Sequence, residues 1–272
     1  MLASMKEIFE AKTKGAVAAF NVFSYEDASM VVRAAEDVNL PVFLMANRPA
    51  IKYMDVDMFF AVMSVLAKKA SVPVAVHLDH SNSYEAVKNA IDAGFTSVMF
   101  DGSSLPVEEN LDITRRIVDY AKPRGVSVEA EIGHVSYQDS DSDTQGVYTT
   151  PAEAKMFAEG SGVDALAVSI GTVHHMVTQE AHINFELLEE IKNTVSTPLV
   201  IHGSSGVSDE DLKRLSDCGA RKINIGTALR LAFGNTLRRE MEARPDVFDR
   251  LELFKAPMQA VYEKAKEKLL LL

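Results

Sequence analysis

The sequence predicts an α/β protein built as one closed (β/α)8 barrel, a TIM barrel, with extra helices at both ends. Three observations lead there. Eight short runs rich in Val, Ile, Ala and Phe alternate with amphipathic stretches along the whole chain. The runs lack in-out alternation, which is the pattern of parallel strands buried on both faces. The length of 272 residues suits eight β/α units, since a closed barrel takes roughly 250 residues, while an open doubly wound sheet commonly has about six strands. A single domain over residues 1–272 is expected.

A short amphipathic helix over Met5 to Lys12 comes first. Strands follow at Ala16–Phe23, Pro41–Ala46, Pro73–Leu78, Ser97–Phe100, Val126–Ile132, Ala165–Ile170, Pro198–Ile201 and Lys222–Ile225. Between them, Glu26–Val38, Asp57–Lys69, Tyr84–Ala93, Glu108–Tyr120, Ala152–Glu159, Glu186–Val195 and Asp209–Cys218 carry apolar residues three or four positions apart, which puts them on one helical face. Gly94, Gly125, Gly162 and Gly219 fall just past helix ends, where a left-handed cap costs least. Two helices are expected after the last strand, the second bearing Lys264, Lys266 and Lys268 on a solvated or packing face. His134 to Thr150 breaks the rhythm, being polar and too long for a plain β/α turn. It is expected to form a mobile loop on the face where barrels keep their active sites.

Composition narrows the functional classes. Hydrophobic residues make up 47% and charged residues 25%, ordinary values for a globular protein. A formal net charge of -11 without a basic patch argues against nucleic acid as a partner. No apolar run is long enough to cross a membrane. Lys6, Glu7, Glu10, Lys12 and Lys14 leave no room for a secretory signal core, and Cys218 stands alone, so a cytoplasmic protein without disulfides is expected.

Chemistry is sought at strand C-terminal ends, where barrel enzymes place it. Five of the seven histidines lie at three such ends, in His77-Leu78-Asp79-His80, Gly171-Thr172-Val173-His174-His175 and His202-Gly203-Ser204-Ser205-Gly206. A lone histidine there is more often structural. Three converging ends favour a divalent ion, because three neutral imidazoles and an open fourth position make a catalytic zinc site. Asp79, beside the proposed ligand His80, suits a general acid/base or a carboxylate that orients the ligand. Glu129 and Glu131 share a face at period two, and Asp101 ends strand four; these acids could take a second cation or satisfy hydrogen bonds at the barrel mouth. Gly203-Ser204-Ser205-Gly206 and Asn224-Ile225-Gly226-Thr227 follow strands seven and eight, where barrels commonly bind phosphate.

With those residues in place the chain resembles the class II fructose-bisphosphate and tagatose-bisphosphate aldolases over nearly its whole length. The likeness is carried by AFNVFSYE from Ala19, PVAVHLDH from Pro73, FTSVMFDGSSLPVEEN from Phe95, VEAEIG from Val128, AVSIGTVHH from Ala167, LVIHGSSG from Leu199 and KINIGTAL from Lys222. It implies one zinc ion held by His80, His174 and His202, with Asp79 exchanging the hydroxyl proton during carbon-carbon cleavage. It implies that Asn224 holds the enediolate, and that Gly203, Ser205 and Thr227 surround the ketose phosphate. Gly171, His175, Ser204, Gly226, Asn21, Asn47 and Arg48 complete the expected substrate rim. Asp101 and Glu131 match acids that take a second divalent or monovalent cation in some members. The expected partner is a phosphorylated sugar and the expected assembly a homo-oligomer, dimeric or tetrameric.

The sequence also departs from that pattern. The glutamate of the family's mobile Gly-Gly-x-Glu-Asp loop is replaced by Asp139, and Ser136 and Tyr137 stand in place of its glycine pair. His175 stands where glycine is usual, Ala228 where an acid follows the last threonine, and Asn47-Arg48-Pro49 where Ser-x-Gly is common. Gln259 stands where relatives often carry a basic residue for the far phosphate. These changes leave the metal and cleavage core and alter the rim, so an unusual, unphosphorylated aldehyde half is one expectation. Three alternatives stay open: a Schiff-base aldolase using Lys222, a catalytically silent regulatory barrel, and a metal-dependent hydrolase.

Overall fold

A computed structural model describes residues 1–136, 146–174 and 181–272. The helix α1, Met5–Ala11, begins at a Ser4–Glu7 capping box and buries Met5 and Ile8. Strands β1 (Val17–Asn21), β2 (Val42–Ala46), β3 (Val74–Ser81), β4 (Ser97–Phe100), β5 (Ser127–Ile132), β6 (Ala165–Val168), β7 (Leu199–Ile201) and β8 (Ala220–Ile225) close in sequential order, with β8 pairing back to β1. Every pairing among them is parallel. The closed barrel predicted from the apolar runs is therefore the fold, with strand ends that differ from expectation by a few residues.

Alternating side chains divide the core in two. Val17, Ala19, Phe43, Met45, Ala75, Ala165, Ala167 and Val200 fill the barrel interior, where Met5 and Ile8 of α1 join them. The opposite parity packs outward against helices α2 (Tyr25–Val38), α3 (Arg48–Met54), α4 (Val56–Lys69), α5 (Tyr84–Ala93), α6 (Val107–Ala121), α7 (Pro151–Ser161), α8 (Phe185–Thr194) and α9 (Asp209–Cys218). On α4, Phe59 stacks on Phe95 with ring centroids 5.9 Å apart. Burying a side chain of that size stabilises the fold by roughly 1.5–3 kcal/mol. Gly94, Gly125, Gly162 and Gly219 all adopt the left-handed conformation expected of caps.

Two corrections concern helices. The expected pair after strand eight is α10 (Thr227–Ala243), a short α11 (Arg250–Leu253) and α12 (Lys255–Leu271). Asp249 caps α11 from its side chain, which adds a short helix to the two expected. The last helix packs Val261, Tyr262, Ala265 and Leu269 into the core, while Lys268 bonds to Asp209. The second correction is α3, a helix absent from the expected elements. It starts directly after β2 because the Asn47 side chain caps Ala50 N–H and Pro49 sits in the first turn, where its missing donor is harmless.

His134 and Val147 exchange backbone hydrogen bonds of 2.8 and 3.0 Å, closing the base of the segment after β5. The mobility expected of its centre concerns residues 137–145, outside the described residues.

Candidate active site

Regular pleating would send Asp79 into the barrel and His80 outward, because neighbouring strand residues point to opposite faces. Strand β3 avoids this with a register shift between Leu78 and Ser81, and His80 takes a left-handed φ of 51°. Such a conformation is unfavourable for a residue with a Cβ. Arg48 steadies it, donating from Nε to the His80 carbonyl at 2.8 Å. Asp79 and His80 thus reach the same cavity from consecutive positions.

His80 meets His202, which follows β7, with ring centroids 4.6 Å apart, and His174, which follows β6, at 4.8 Å. One nitrogen from each of the three lies within 4.8 Å of the others. The backbone N–H of His174 donates to Ser136 O at 2.8 Å, tying the main chain at His174 to the segment after β5.

Carboxylates behind the rings fix which nitrogen faces inward. His80 Nδ1 donates to Asp101 Oδ2 at 2.9 Å, and His202 Nε2 donates to Glu129 Oε1 at 2.8 Å. This leaves His80 Nε2 and His202 Nδ1 buried with no hydrogen-bond partner. Glu131 Oε2 lies 3.1 Å from His202 Nδ1 without hydrogen-bond geometry and is likewise unsatisfied. Unsatisfied buried donors and acceptors are costly, and lone pairs converging from imidazoles backed by carboxylates are what a zinc-type cation requires. The residues present fit a divalent ion.

Electrostatics agree with that fit. Asp79, Asp101, Glu129 and Glu131 crowd around the rings, with Lys222 as the one ammonium in the group. Burial disfavours the charged imidazolium of His202, but Glu129 and Glu131 outweigh it and raise its pKa to about 10. At His80, burial is likewise outweighed, here by Asp79 and Asp101. Asp79 is held below the usual carboxylate range because His80, His202 and Lys222 overcome its own burial. The cluster demands positive charge, which a metal supplies without a proton.

Asp79 is clamped at both oxygens. Asn21 Nδ2 donates to Oδ2 at 2.7 Å and Asn224 Nδ2 to Oδ1 at 3.1 Å. A cavity of about 330 Å³ opens above, lined by Asn21, Asn47, Arg48, Asp79, His80, His174, Gly203, Ser204, Ser205, Asn224, Gly226, Thr227 and Arg230. A broader groove of about 530 Å³ shares Ser204, Ser205 and Thr227 with it but is lined by neither Asp79 nor any of the three histidines. At the cavity edge Gly226 precedes α10 without side-chain capping, which leaves a helix N-terminus facing the site.

Most of the residues singled out from sequence converge here; some do not. Ser204 turns its hydroxyl to the Asn224 carbonyl. Gly171 stands apart from the cavity lining, with its α-carbon against the His182 carbonyl. Gln259 is exposed on α12. Asp139 and His175 lie outside the described residues. Lys222 requires a correction: it is fully buried, its Nζ is 2.9 Å from Glu129 Oε2, and it does not line the cavity, so no substrate carbonyl reaches it for a Schiff base. One role and one residue were missed. Glu129 was named for its shared face with Glu131, but its tie to His202 depends on a residue 73 positions away. Arg230 reaches the cavity because it lies three residues beyond Thr227 on α10.

Comparison with known proteins decides the family. Residues 3–272 match the family described as "Fructose-bisphosphate aldolase class-II". The chain belongs to the class II fructose-bisphosphate aldolases. A fructose-bisphosphate aldolase of Staphylococcus epidermidis is 38% identical to this aldolase over 276 residues, covering 98% of the chain and 96% of the relative. One from Geobacillus stearothermophilus is 40% identical over 256 residues, covering 91% and 88%. Among solved structures, the YdjI aldolase of Escherichia coli K12 superposes on this class II aldolase with a TM-score of 0.86 at 36% identity, covering 100% of the chain and 97% of that structure. A putative fructose-1,6-bisphosphate aldolase from Coccidioides immitis gives 0.87 at 28% identity, covering 98% and 94%.

Proposed function

We propose that this protein is a zinc-dependent aldolase that reversibly cleaves a ketose phosphate into dihydroxyacetone phosphate and an aldehyde. The observation that carries the reading is the convergence of three imidazoles on one point beside Asp79. His80 through Nε2, His202 through Nδ1, and His174 would hold the ion. When bound, zinc polarises the ketone and accepts the charge released on cleavage. Asp79, kept anionic and oriented by Asn21 and Asn224, takes the hydroxyl proton as the aldehyde departs. Asp139 then delivers a proton to the carbon of the other half. Asn224 shifts from Asp79 to the oxygens of that half, and Gly203, Ser205, Gly226 and Thr227 enclose its phosphate at the α10 N-terminus. Glu131, with Asp101, can take a second cation beside His80.

Asn47 and Arg48 line the same cavity, and we assign them to the aldehyde half, which we infer to be unphosphorylated. The protein is inferred to act in the cytoplasm as a dimer or tetramer. Cleavage of ketose 1-phosphates and ketose 1,6-bisphosphates by zinc-loaded enzyme, with and without chelator, tests the whole reading. A clear preference for the bisphosphate ends the claim about the aldehyde half, and chelator-insensitive turnover ends the zinc claim. Tight zinc binding without any exchange of dihydroxyacetone phosphate protons would instead favour a silent regulatory barrel.

A further inference from the structure

Beneath the cavity floor the barrel carries a second polar layer with no route to substrate. Glu129 is fully buried, with Oε1 2.8 Å from His202 Nε2 and Oε2 2.9 Å from Lys222 Nζ. His77, also fully buried, approaches the same Oε2 at 3.8 Å. Its Nδ1 is 2.7 Å from Ser97 Oγ, and its Nε2 has no hydrogen-bond partner. Lys222 lies over the Phe43 ring, 5.6 Å from the centroid. An ammonium and a carboxylate this deep lose their hydration, so stability alone is a weak reason for them.

We propose that Lys222 is a positioning residue for the metal centre, acting through Glu129 to hold His202 with Nε2 protonated and Nδ1 turned toward the ion. The inference rests on the zinc reading above. Glu129 has two histidine neighbours and can serve either. With Lys222 occupying Oε2, the carboxylate keeps Oε1 on His202. Without Lys222, Oε2 is free to accept from His77, the carboxylate rotates, and His202 loses the acceptor that fixes its tautomer and ring plane. A ligand free to flip presents the wrong nitrogen part of the time.

The test uses the full-length protein and zinc alone, measured by competition with a chromogenic chelator. Lys222→Met and Glu129→Gln are each expected to weaken zinc binding about 10- to 100-fold. The double variant should bind no more weakly than Glu129→Gln, because Lys222 acts only through Glu129. Lys222→Arg should recover part of the loss. Cobalt loaded into Lys222→Met should show a shifted visible absorption band, which a purely structural lysine would not produce. Since Lys222→Met leaves a buried carboxylate uncompensated and endangers folding, the His202 tautomer is also read in the zinc-loaded wild type by nitrogen NMR. A ring protonated at Nδ1 overturns the proposal without any variant. So do additive losses in the double variant, or unchanged zinc affinity and cobalt spectrum in folded Lys222→Met. Wild-type protein that binds no zinc rejects the metal centre itself, and this inference with it, and that result is distinct from the others.

Discussion

Asn21 and Asp79 face each other across the barrel mouth, the amide of one donating to the carboxylate of the other at 2.7 Å. The bond joins β1 to β3 and sets the plane of the carboxylate that receives a proton in the proposed reaction. Asn21→Ala should lower kcat about tenfold, more than it raises KM, because orientation is lost and the acid stays. Asp79→Ala should lower kcat by roughly 10²–10⁴ while zinc content stays near that of wild type. Equal turnover in Asn21→Ala and wild type would remove the orienting role.

His80→Ala, His174→Ala and His202→Ala should each lose bound zinc together with activity. Metal analysis after dialysis is the check. The expected pattern is the reverse of Asp79→Ala, so the four variants separate holding the ion from moving the proton. A histidine variant that keeps full metal occupancy would contradict its assignment as a ligand.

Gly203 is predicted to tolerate no side chain. Its φ is 64°, and an added Cβ would meet Val173 backbone atoms at 2.8 to 3.0 Å, with no flexible group to yield. Gly203→Ala should cost about 1–3 kcal/mol of stability. Zinc affinity should fall as well, since Val173 precedes His174 in the chain. A melting curve that overlays the wild type would show that the contact relaxes at no cost.

Asp27, in the first turn of α2, gives a pH dependence that does not involve the three histidines. Burial raises its pKa to about 6 from 3.8, against the pull of backbone donors from Ser24 and Phe23. A carboxyl with a raised folded-state pKa contributes stability that is complete below its unfolded value and lost as pH climbs through the folded one. The difference between 3.8 and about 6 corresponds to ~3 kcal/mol, withdrawn between roughly pH 4 and 6. Chemical denaturation of wild type and Asp27→Asn across that range should show the wild-type advantage shrinking as pH rises. A constant gap would mean that Asp27 does not titrate there.

The barrel and most of its mouth were legible from the sequence because periodicity and strand-end position are local signals. Val17, Phe43 and Ala75 announced buried strands, and His80, His174 and His202 announced a shared centre by lying at three strand ends. What escaped was set by distance or by backbone. Lys222 and Asn224 share parity on β8, which correctly puts both inside, but parity does not reveal that the lysine sits a layer too deep to meet substrate. Its partner Glu129 is 93 positions away. The helix over Arg48–Met54 went unseen because an asparagine cap followed by Pro49 also reads as a turn.

The left-handed step at His80 reaches beyond local geometry. Because one kink delivers the proposed proton acceptor and a proposed metal ligand from adjacent positions, neither can be retuned alone; a change that straightens this edge swings the imidazole toward the outer helices and reorients the acid as well. Variation in what the protein accepts is therefore channelled to cavity residues that do not hold this kink, such as Arg230 on α10. Redesign for a new aldehyde would do best to begin there.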